Sequence, residues 1–223
     1  KKHIFELLDP SFIAPTDWMH NIASKSALLK PYSITKILNP LQPVFFEKHE
    51  GSKVVEGPVV VIVTAANLDD PTKGIWSVLP FLKKASSSDS FQFEMIGIAS
   101  ERLRQELPHV VFHGQKDSSD VRVILGKSHL LFTPSISETA GMVIAEAASQ
   151  GVPAVVRDTG GMPEMTGFGE NGYIFSAQDE LEAIFDSLTI KDILRKGESA
   201  KEWAQQLRPK AVATKYLEVI EGL

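Results

Sequence analysis

The sequence predicts an α/β protein built on a doubly wound parallel sheet with helices on both faces, and three observations support this class. Short apolar segments rich in β-branched residues alternate with helix-like segments along most of the chain. The strand-like segments are apolar throughout, as expected when helices cover both faces of a parallel sheet. The connections between them are short, and strand–helix alternation with short loops is typical of doubly wound domains.

The first predicted elements lie in residues 1–57 and comprise a strand, a helix and a second strand. The first strand is predicted at residues 12–15, and Thr16 offers an N-cap for the helix that follows. The second strand is predicted at residues 33–38, and the polar, glycine-bearing segment 49–57 is typical of a linker. Three elements of this size cannot bury a core alone. They are either the flank of the main domain or the tail of a domain whose body is missing.

Residues 58–207 are predicted to form the main domain, because the strand–helix alternation is regular there. Beyond residue 175 the pattern becomes purely helical, and residues 208–223 are treated as a C-terminal helix able to reach away from the domain. The strands are predicted at residues 59–65, 91–97, 110–113, 130–133, 154–156 and 172–175. The helices are predicted at residues 74–85, 101–106, 117–126, 141–150, 179–188, 190–207 and 210–222.

Composition excludes several classes of function. The chain has 223 residues, 43% of them hydrophobic, and a formal net charge of −5, which argues against a general nucleic-acid binder with a basic face. It has no cysteine, so disulfides, thiolate nucleophiles and zinc–thiolate sites are excluded. No apolar segment approaches the roughly 20 residues that cross a bilayer, and the first residues do not resemble a signal peptide. The expected location is the cytoplasm.

The most informative segment is residues 134–161, where a predicted strand ends in a loop and a helix begins near Gly141. Ligands of open parallel sheets bind at this carboxyl edge of the strands. Gly141 removes a side chain where a ligand could approach, and the amides of Met142 and Val143 point outward from the helix start. Such an N-terminus favours an anion, for example a diphosphate. Taken alone, Gly141 is better explained by a tight turn.

Glu146 strengthens the case for a ligand. Its helix is apolar nearly all round and should be buried, so a carboxylate in the middle is costly unless it is paired or hydrogen-bonded. The partner is either a cation such as Arg157 or a pair of ligand hydroxyls. Glu138 lies in the loop just before the helix, so that both carboxylates could line one cleft. A diphosphate at the helix start, a diol at Glu146 and a second polyol at Glu138 describe a nucleotide sugar.

These residues match a known family pattern. The segment ETAGMVIAE (residues 138–146) has the form E-x7-E, and it is followed by AASQGVPAVV and then by GGMPE (residues 160–164). Together they resemble group 1 glycosyltransferases, which are retaining enzymes of the GT-B fold. The segments FIAPTDW (12–18) and DPTKG (70–74) are similar to the last N-domain strand and the phosphate-contacting loop of that family. FHGQ (112–115) resembles its base-contacting loop, and the last helix resembles the one that crosses back to the N-terminal domain.

The resemblance implies a role for each matched residue at the donor. Glu146 would bind the ribose hydroxyls, and Glu138, counted as catalytic, would bind the transferred sugar. Lys73, also counted as catalytic, would neutralise the diphosphate and stabilise it as a leaving group. Backbone amides would hold the diphosphate at Gly141, Met142 and Val143.

The resemblance also implies which residues contact the base, and it shows where this sequence differs from the family pattern. Gln115 and Lys116 would line the base pocket through their backbones. Asn67 stands where the family has an arginine, and it brings hydrogen bonds without a charge. Thr139 and Ala140 replace the usual Gly-Phe pair, which reshapes the sugar pocket. No metal and no cofactor are expected, the histidines show no metal-ligand spacing, and the donor would be a UDP-, GDP- or ADP-sugar.

The implied function is transfer of a sugar to a glycan or lipid-linked acceptor, in polysaccharide biosynthesis. The catalytic histidine and glycine-rich loop of the family belong to an N-terminal acceptor domain, and that missing GT-B domain is an expected partner. A lipid-linked acceptor would bring the enzyme to the inner face of the membrane, although no basic amphipathic helix requires this.

Two other functions stay open at this point. A nucleotide-sugar epimerase or a sugar phosphorylase shares the architecture, although the Glu138–Glu146 pattern fits the transferases better. A non-catalytic module that binds nucleotide sugar or a protein partner is favoured by Asn67 and by the missing half. Nucleotide binding that requires Glu146 would discriminate between these. An unrelated hydrolase or receiver-like domain is discounted, because the chain has neither a Gly-x-Ser-x-Gly elbow nor a Walker A loop.

Overall fold

The computed structural model describes residues 2–47 and 56–222, so most of the predicted linker at 49–57 lies outside the described residues. The strands are β1 Phe12–Ala14, β2 Ile34–Lys36, β3 Val59–Asn67, β4 Phe91–Ile98, β5 Val111–Gly114, β6 Leu130–Thr133, β7 Ala154–Arg157 and β8 Gly172–Phe175. The helices are α1 Lys2–Leu8, α2 Asp17–Lys25, α3 Leu79–Ser86, α4 Glu101–Glu106, α5 Ser118–Lys127, α6 Met142–Ser149, α7 Met162–Met165, α8 Gln178–Ser187, α9 Ile190–Ala204 and α10 Pro209–Glu221.

The main sheet has six strands in the order β5-β4-β3-β6-β7-β8, and every neighbouring pair is parallel. The chain enters at the centre with β3, moves outward to β5, returns to place β6 beside β3, and moves outward again to β8. This is the doubly wound order in which the two halves of the sheet are built toward opposite edges. The predicted fold class is therefore confirmed.

Both faces of the sheet are covered, as the apolar strands predict. Within β3, Val61 and Val63 belong to one buried cluster together with Phe81 of α3 and Phe185 of α8. Ile62 points to the other face, where it belongs to a second cluster with residues of α5, α6 and α7. Because side chains alternate along a strand, a continuous apolar run is what a sheet between two helical layers requires.

Residues 2–36 form a small unit, here called the N-terminal lobe. Its strands β1 and β2 pair in parallel as a separate two-stranded sheet, and Thr16 accepts a hydrogen bond from the amide of Met19 as the predicted N-cap of α2. Phe5 of α1, Phe12 and Tyr32 contact one another edge to face. The sequence patterns do not predict α1, which these aromatic contacts hold against β1.

The predicted helix at residues 74–85 is divided in two. A 3-10 turn covers Ile75–Val78, and α3 begins at Leu79 with Pro80 in its first turn. Proline is favoured at that position because the first amides of a helix have no partner within the helix, so Pro80 restarts the helix. The short helix α7 is also absent from the prediction. Among the described residues, no helix combines the length and apolarity needed to cross a bilayer.

We expect Phe185→Ala to lower the free energy of unfolding by about 3–5 kcal/mol. The ring of Phe185 lies within 6.0 Å of those of Phe81, Phe91, Phe93 and Phe132, measured between centroids, so truncation leaves a cavity. Urea unfolding followed by circular dichroism measures the loss.

The matched control is Phe168→Ala, the same truncation at a side chain that is 71% exposed, for which a change below about 0.5 kcal/mol is expected. Equal losses for the two variants would contradict the assignment of Phe185 to the core.

Candidate functional site

The candidate site is a cleft of about 430 Å³ at the carboxyl ends of β3 and β6. These strands lie side by side, but the chain leaves them toward opposite edges of the sheet. The loops that follow them therefore diverge and open a crevice, which is where doubly wound proteins bind ligands. The predicted residues that line this cleft are Lys73, Glu138, Gly141, Met142, Val143 and Glu146.

The first turn of α6 forms one wall of the cleft. Gly141 precedes the helix with φ 64° and ψ 62°, the left-handed conformation that glycine adopts most readily. No side chain of the described residues caps this helix, and its first residues Met142 and Val143 line the cleft. The first amides of a helix lack partners within the helix, so this end of α6 suits an anion.

Glu146 lies half-buried in the same wall. No hydrogen bond or ion pair joins its carboxylate to any side chain within residues 2–47 and 56–222. Burial raises the pKa of Glu146 above its ordinary value, because a charge is less stable away from water. Arg157, the alternative partner, instead donates to the carbonyl of Pro134 at 3.0 Å and to the Ser77 hydroxyl at 3.1 Å.

Lys73 and Glu138 meet at the cleft. The Lys73 Nζ lies 2.6 Å from Glu138 Oε1, and the two side chains are 28% and 22% exposed. Lys73 ends a 3-10 turn that Asp70 caps by accepting from the Thr72 amide at 2.8 Å. The hydrogen bonds from Thr72 lower the pKa of Asp70. The two loops that follow β3 and β6 are therefore joined by an ion pair between predicted site residues.

Backbone contacts join the same two loops. The amide of Ile136 donates to the carbonyl of Thr72 at 2.9 Å. Gly74 has φ 70°, and a Cβ at this residue would overlap the carbonyl of Pro134. A glycine is thus required where the Lys73 loop approaches the Glu138 loop. The short motif Lys73-Gly74 does not reveal this requirement, because the contact is made with a segment 60 residues away.

Asn67, Gln115 and Lys116 do not line this cleft. Asn67 ends β3, and its Oδ1 accepts from the amide of Asp69 at 3.0 Å, so its side chain shapes the turn toward Lys73. Gln115 and Lys116 are exposed in the loop after β5, and Lys116 lies 3.9 Å from Asp120. Their predicted role concerns the base and depends on backbone contacts, so it stays a prediction.

Several residues of the cleft were not predicted as site residues. They share small size and a position at the end of a strand, in the Glu138 loop or in a flanking segment: Asn39, Thr64, Ala65, Ala66, Val121, Thr133 and Ser135. Their position in the sequence could have indicated them, since small residues at the carboxyl ends of central parallel strands leave room for a ligand. Thr139 and Ala140, which are expected to shape the sugar pocket, also line the cleft.

The histidines at strand ends have structural partners. His113 Nε2 lies 2.7 Å from a carboxylate oxygen of Glu94, and His129 Nδ1 accepts from the amide of Val60 at 2.9 Å. Within the described part of the chain, no group of three or more metal-binding side chains comes together.

Comparison with known proteins identifies the family. The family described as glycosyl transferases group 1 matches residues 47–209. An uncharacterized 41.2 kDa protein in the cps region of Klebsiella pneumoniae is 27% identical over 160 residues, which cover 69% of this chain and 44% of that protein. N-acetyl-alpha-D-glucosaminyl L-malate synthase of Bacillus anthracis is 30% identical over 112 residues, covering 48% of this chain and 29% of the synthase.

A solved structure shows the same fold. Anabaena HepE in complex with UDP and glucose superposes with a TM-score of 0.73 at 19% identity, covering 95% of this chain and 63% of HepE. The chain thus spans less than two thirds of the length of each of these relatives. Since the family match covers well over half of the sequence, the chain belongs to the group 1 glycosyltransferases, and its six-stranded domain is of the GT-B type.

Proposed function

We propose that this chain binds the donor of a retaining glycosyltransferase, which transfers a sugar from a nucleoside diphosphate to a glycan or lipid-linked acceptor. The observation that carries the proposal is the Glu146 carboxylate, which has no side-chain partner among the described residues, beside the N-terminus of α6 in one cleft. A diol satisfies the first group and a diphosphate satisfies the second. Membership of the group 1 family supports the same assignment.

The spacing along α6 suits one continuous ligand. Glu146 follows Met142 by four residues and Val143 by three, so all three lie on one face of the helix. A diphosphate held by the amides at Gly141, Met142 and Val143 would therefore have its ribose hydroxyls beside Glu146. The base would extend toward the loop with Gln115 and Lys116, as the family resemblance implies.

Lys73 and Glu138 would serve the other end of the donor. In the free protein they neutralise each other across 2.6 Å. A bound diphosphate would compete for Lys73, because it carries more negative charge than a single carboxylate. That exchange would leave Glu138 available to accept hydrogen bonds from the hydroxyls of the transferred sugar.

The proposed reaction needs charge stabilisation at the leaving group. When the bond between the sugar and the diphosphate breaks, its electron pair stays on the diphosphate oxygen, and the sugar becomes oxocarbenium-like. The acceptor hydroxyl then attacks on the same face and passes its proton to the departing diphosphate oxygen, so the configuration is retained. Lys73 and the amides of α6 would stabilise the departing anion, and in this scheme no metal ion is required.

The proposal includes an acceptor-binding GT-B domain that packs on the N-terminal lobe. Exposed apolar side chains on this lobe support it, namely Ile4, Leu7, Leu8, Ile13, Trp18 and Ile22. Six large apolar side chains exposed on one small lobe are typical of a surface that packs against another domain. With such a partner the enzyme would act in the cytoplasm on polysaccharide precursors, at the inner membrane face when the acceptor is lipid-linked.

Calorimetric titration of the chain with UDP, GDP and ADP tests the proposal. We expect one nucleotide to bind with a Kd between micromolar and millimolar, and EDTA to leave that Kd unchanged. The donor site lies within this chain, so binding does not depend on an acceptor domain. Failure of all three nucleotides to bind would reject the chain as a donor-binding domain.

We expect Glu146→Gln to weaken binding of that nucleotide about 10- to 100-fold, because a hydrogen bond to a charged group is stronger than one to an amide. Glu138→Gln is the matched control. It should not weaken nucleotide binding, because it removes the carboxylate that competes with the diphosphate for Lys73. Equal affinities of both variants and the wild type would contradict the ribose assignment.

The same Glu146→Gln variant should unfold at a higher temperature than the wild type at pH 7. The pKa of Glu146 is raised in the folded state, so the Glu146 carboxyl loses its proton more readily in the unfolded chain. The wild type therefore loses stability as the pH rises from the ordinary pKa of a glutamate through the raised pKa of Glu146. Thermal unfolding from pH 4 to pH 7 measures the effect. The gap between variant and wild type should widen with pH, and a constant gap would contradict it.

We expect Lys73→Ala to weaken UDP or GDP binding and to leave binding of the corresponding nucleoside unchanged. Loss of a charge-assisted contact to the diphosphate corresponds to about 10-fold or more. Titration of variant and wild type with uridine and UDP, or guanosine and GDP, measures both. Identical losses for nucleoside and nucleotide would place Lys73 away from the diphosphate.

A further inference from the structure

The loop that carries Glu138 has no regular secondary structure, so its position depends on contacts with its neighbours. One neighbour is the turn at residues 160–164, whose Gly161 amide donates to the carbonyl of Glu138 at 3.3 Å. A Cβ on Gly160 would overlap the carbonyl of Glu138, and one on Gly161 would overlap that of Thr139. The two glycines therefore let this turn lie directly against the backbone of the Glu138 loop.

The other neighbour is Thr16 of the N-terminal lobe. Thr16 is fully buried, and its Oγ1 donates to the carbonyl of Thr139 at 3.1 Å while it accepts from the Met19 amide at 3.2 Å. Its methyl group lies 2.6 Å from where a Cβ on Gly161 would stand. Thr16 thus contacts both the Glu138 loop and the turn behind it, although it is more than 120 residues away in the chain.

The far end of the same turn holds the N-terminal lobe. The amide of Asp17 donates to Glu164 Oε2 at 2.6 Å, and the Lys36 Nζ lies 2.6 Å from Glu164 Oε1 and 2.7 Å from Asp17 Oδ2. Burial alone would lower the pKa of Lys36, but its two carboxylate partners outweigh burial and raise it. Lys36 is therefore charged. The lobe thus contacts the turn at both ends, with Thr16 against Gly161 and with Asp17 and Lys36 at Glu164.

We propose that Thr16 is a positioning residue, which couples docking of the N-terminal lobe to the placement of Glu138 at the sugar end of the donor cleft. This inference depends on the proposed function only for the identity of the ligand. The hydroxyl of Thr16 fixes the backbone next to Glu138, and the buried fit of its methyl group against Gly161 keeps the loop and the turn together. Movement of the lobe would thereby change the sugar end of the cleft.

The nucleotide end is anchored differently. Glu146 and the amides at the start of α6 belong to a helix whose Ile144 and Ala145 are buried in the main core. No hydrogen bond joins Thr16 to this helix among the contacts of the described residues. Loss of the Thr16 hydroxyl should therefore affect the sugar end and leave the nucleotide end unchanged.

The test uses Thr16→Val, which removes the hydroxyl and keeps the shape, and Thr16→Ser, which keeps the hydroxyl. Because Thr16 also caps α2, the control is Thr189→Val, which removes the equivalent cap of α9, where Thr189 Oγ1 accepts from the Asp192 amide at 3.1 Å. Thr16→Ala replaces Thr16→Val if the latter does not fold.

The first readout needs no ligand. Amide hydrogen exchange followed by NMR should show the amides of Ile136 and Gly161 exchanging about 3- to 10-fold faster in Thr16→Val than in the wild type, as expected for loss of one hydrogen bond. Thr16→Ser and Thr189→Val should match the wild type at these amides. Unchanged exchange in Thr16→Val, or equal acceleration throughout the chain, would overturn the coupling.

The second readout is calorimetric titration with UDP and UDP-glucose. Thr16→Val should bind UDP as the wild type does and bind UDP-glucose about 3- to 10-fold more weakly, with the affinity restored in Thr16→Ser. Equal losses for both ligands would overturn a specific role at the sugar end. If the wild type binds no nucleotide, the proposed function fails, and the exchange rates still decide whether Thr16 positions the loop.

Discussion

The pairing of β3 with β6 at the centre of the sheet is the constraint on which the rest of the structure depends. Val61 lies opposite Leu130 and Ile62 opposite Leu131, all fully buried. Because the chain winds away from this pair in opposite directions, the loops after the two strands separate and leave a crevice. The Lys73 loop follows one strand and the Glu138 loop follows the other, so the central pairing alone brings them to one cleft.

The cleft contains features that work against stability. In the part of the chain that the structure describes, the half-buried carboxylate of Glu146 has no side-chain partner and the start of α6 has no side-chain cap. Both raise the free energy of the folded protein, and both are satisfied by the same class of ligand. Such local departures from the most stable arrangement are common where a protein binds its substrate.

The turn at residues 160–164 links the two parts of the molecule. Its glycines allow close contact with the Glu138 loop, and its glutamate binds the N-terminal lobe through the Asp17 amide and Lys36. A segment of five residues therefore contacts both the cleft and the lobe. These contacts tie the position of the Glu138 loop to that of the N-terminal lobe.

The amino-acid sequence was sufficient to predict the fold class, the strands of the main sheet and the carboxyl-edge location of the candidate site. The reason is that strands buried on both faces must be apolar, and that Glu138, Gly141 and Glu146 are close in sequence around one loop and one helix. The tertiary structure decided the contacts between distant segments. The Lys73–Glu138 pair, the packing of Gly74 against Pro134 and the Thr16 hydrogen bond to Thr139 join residues 60 or more apart, and no local pattern encodes which distant segments meet. The fold likewise places the Arg157 guanidinium beside the carbonyl of Pro134 instead of Glu146, since the partner of a long side chain depends on which segments pack around it.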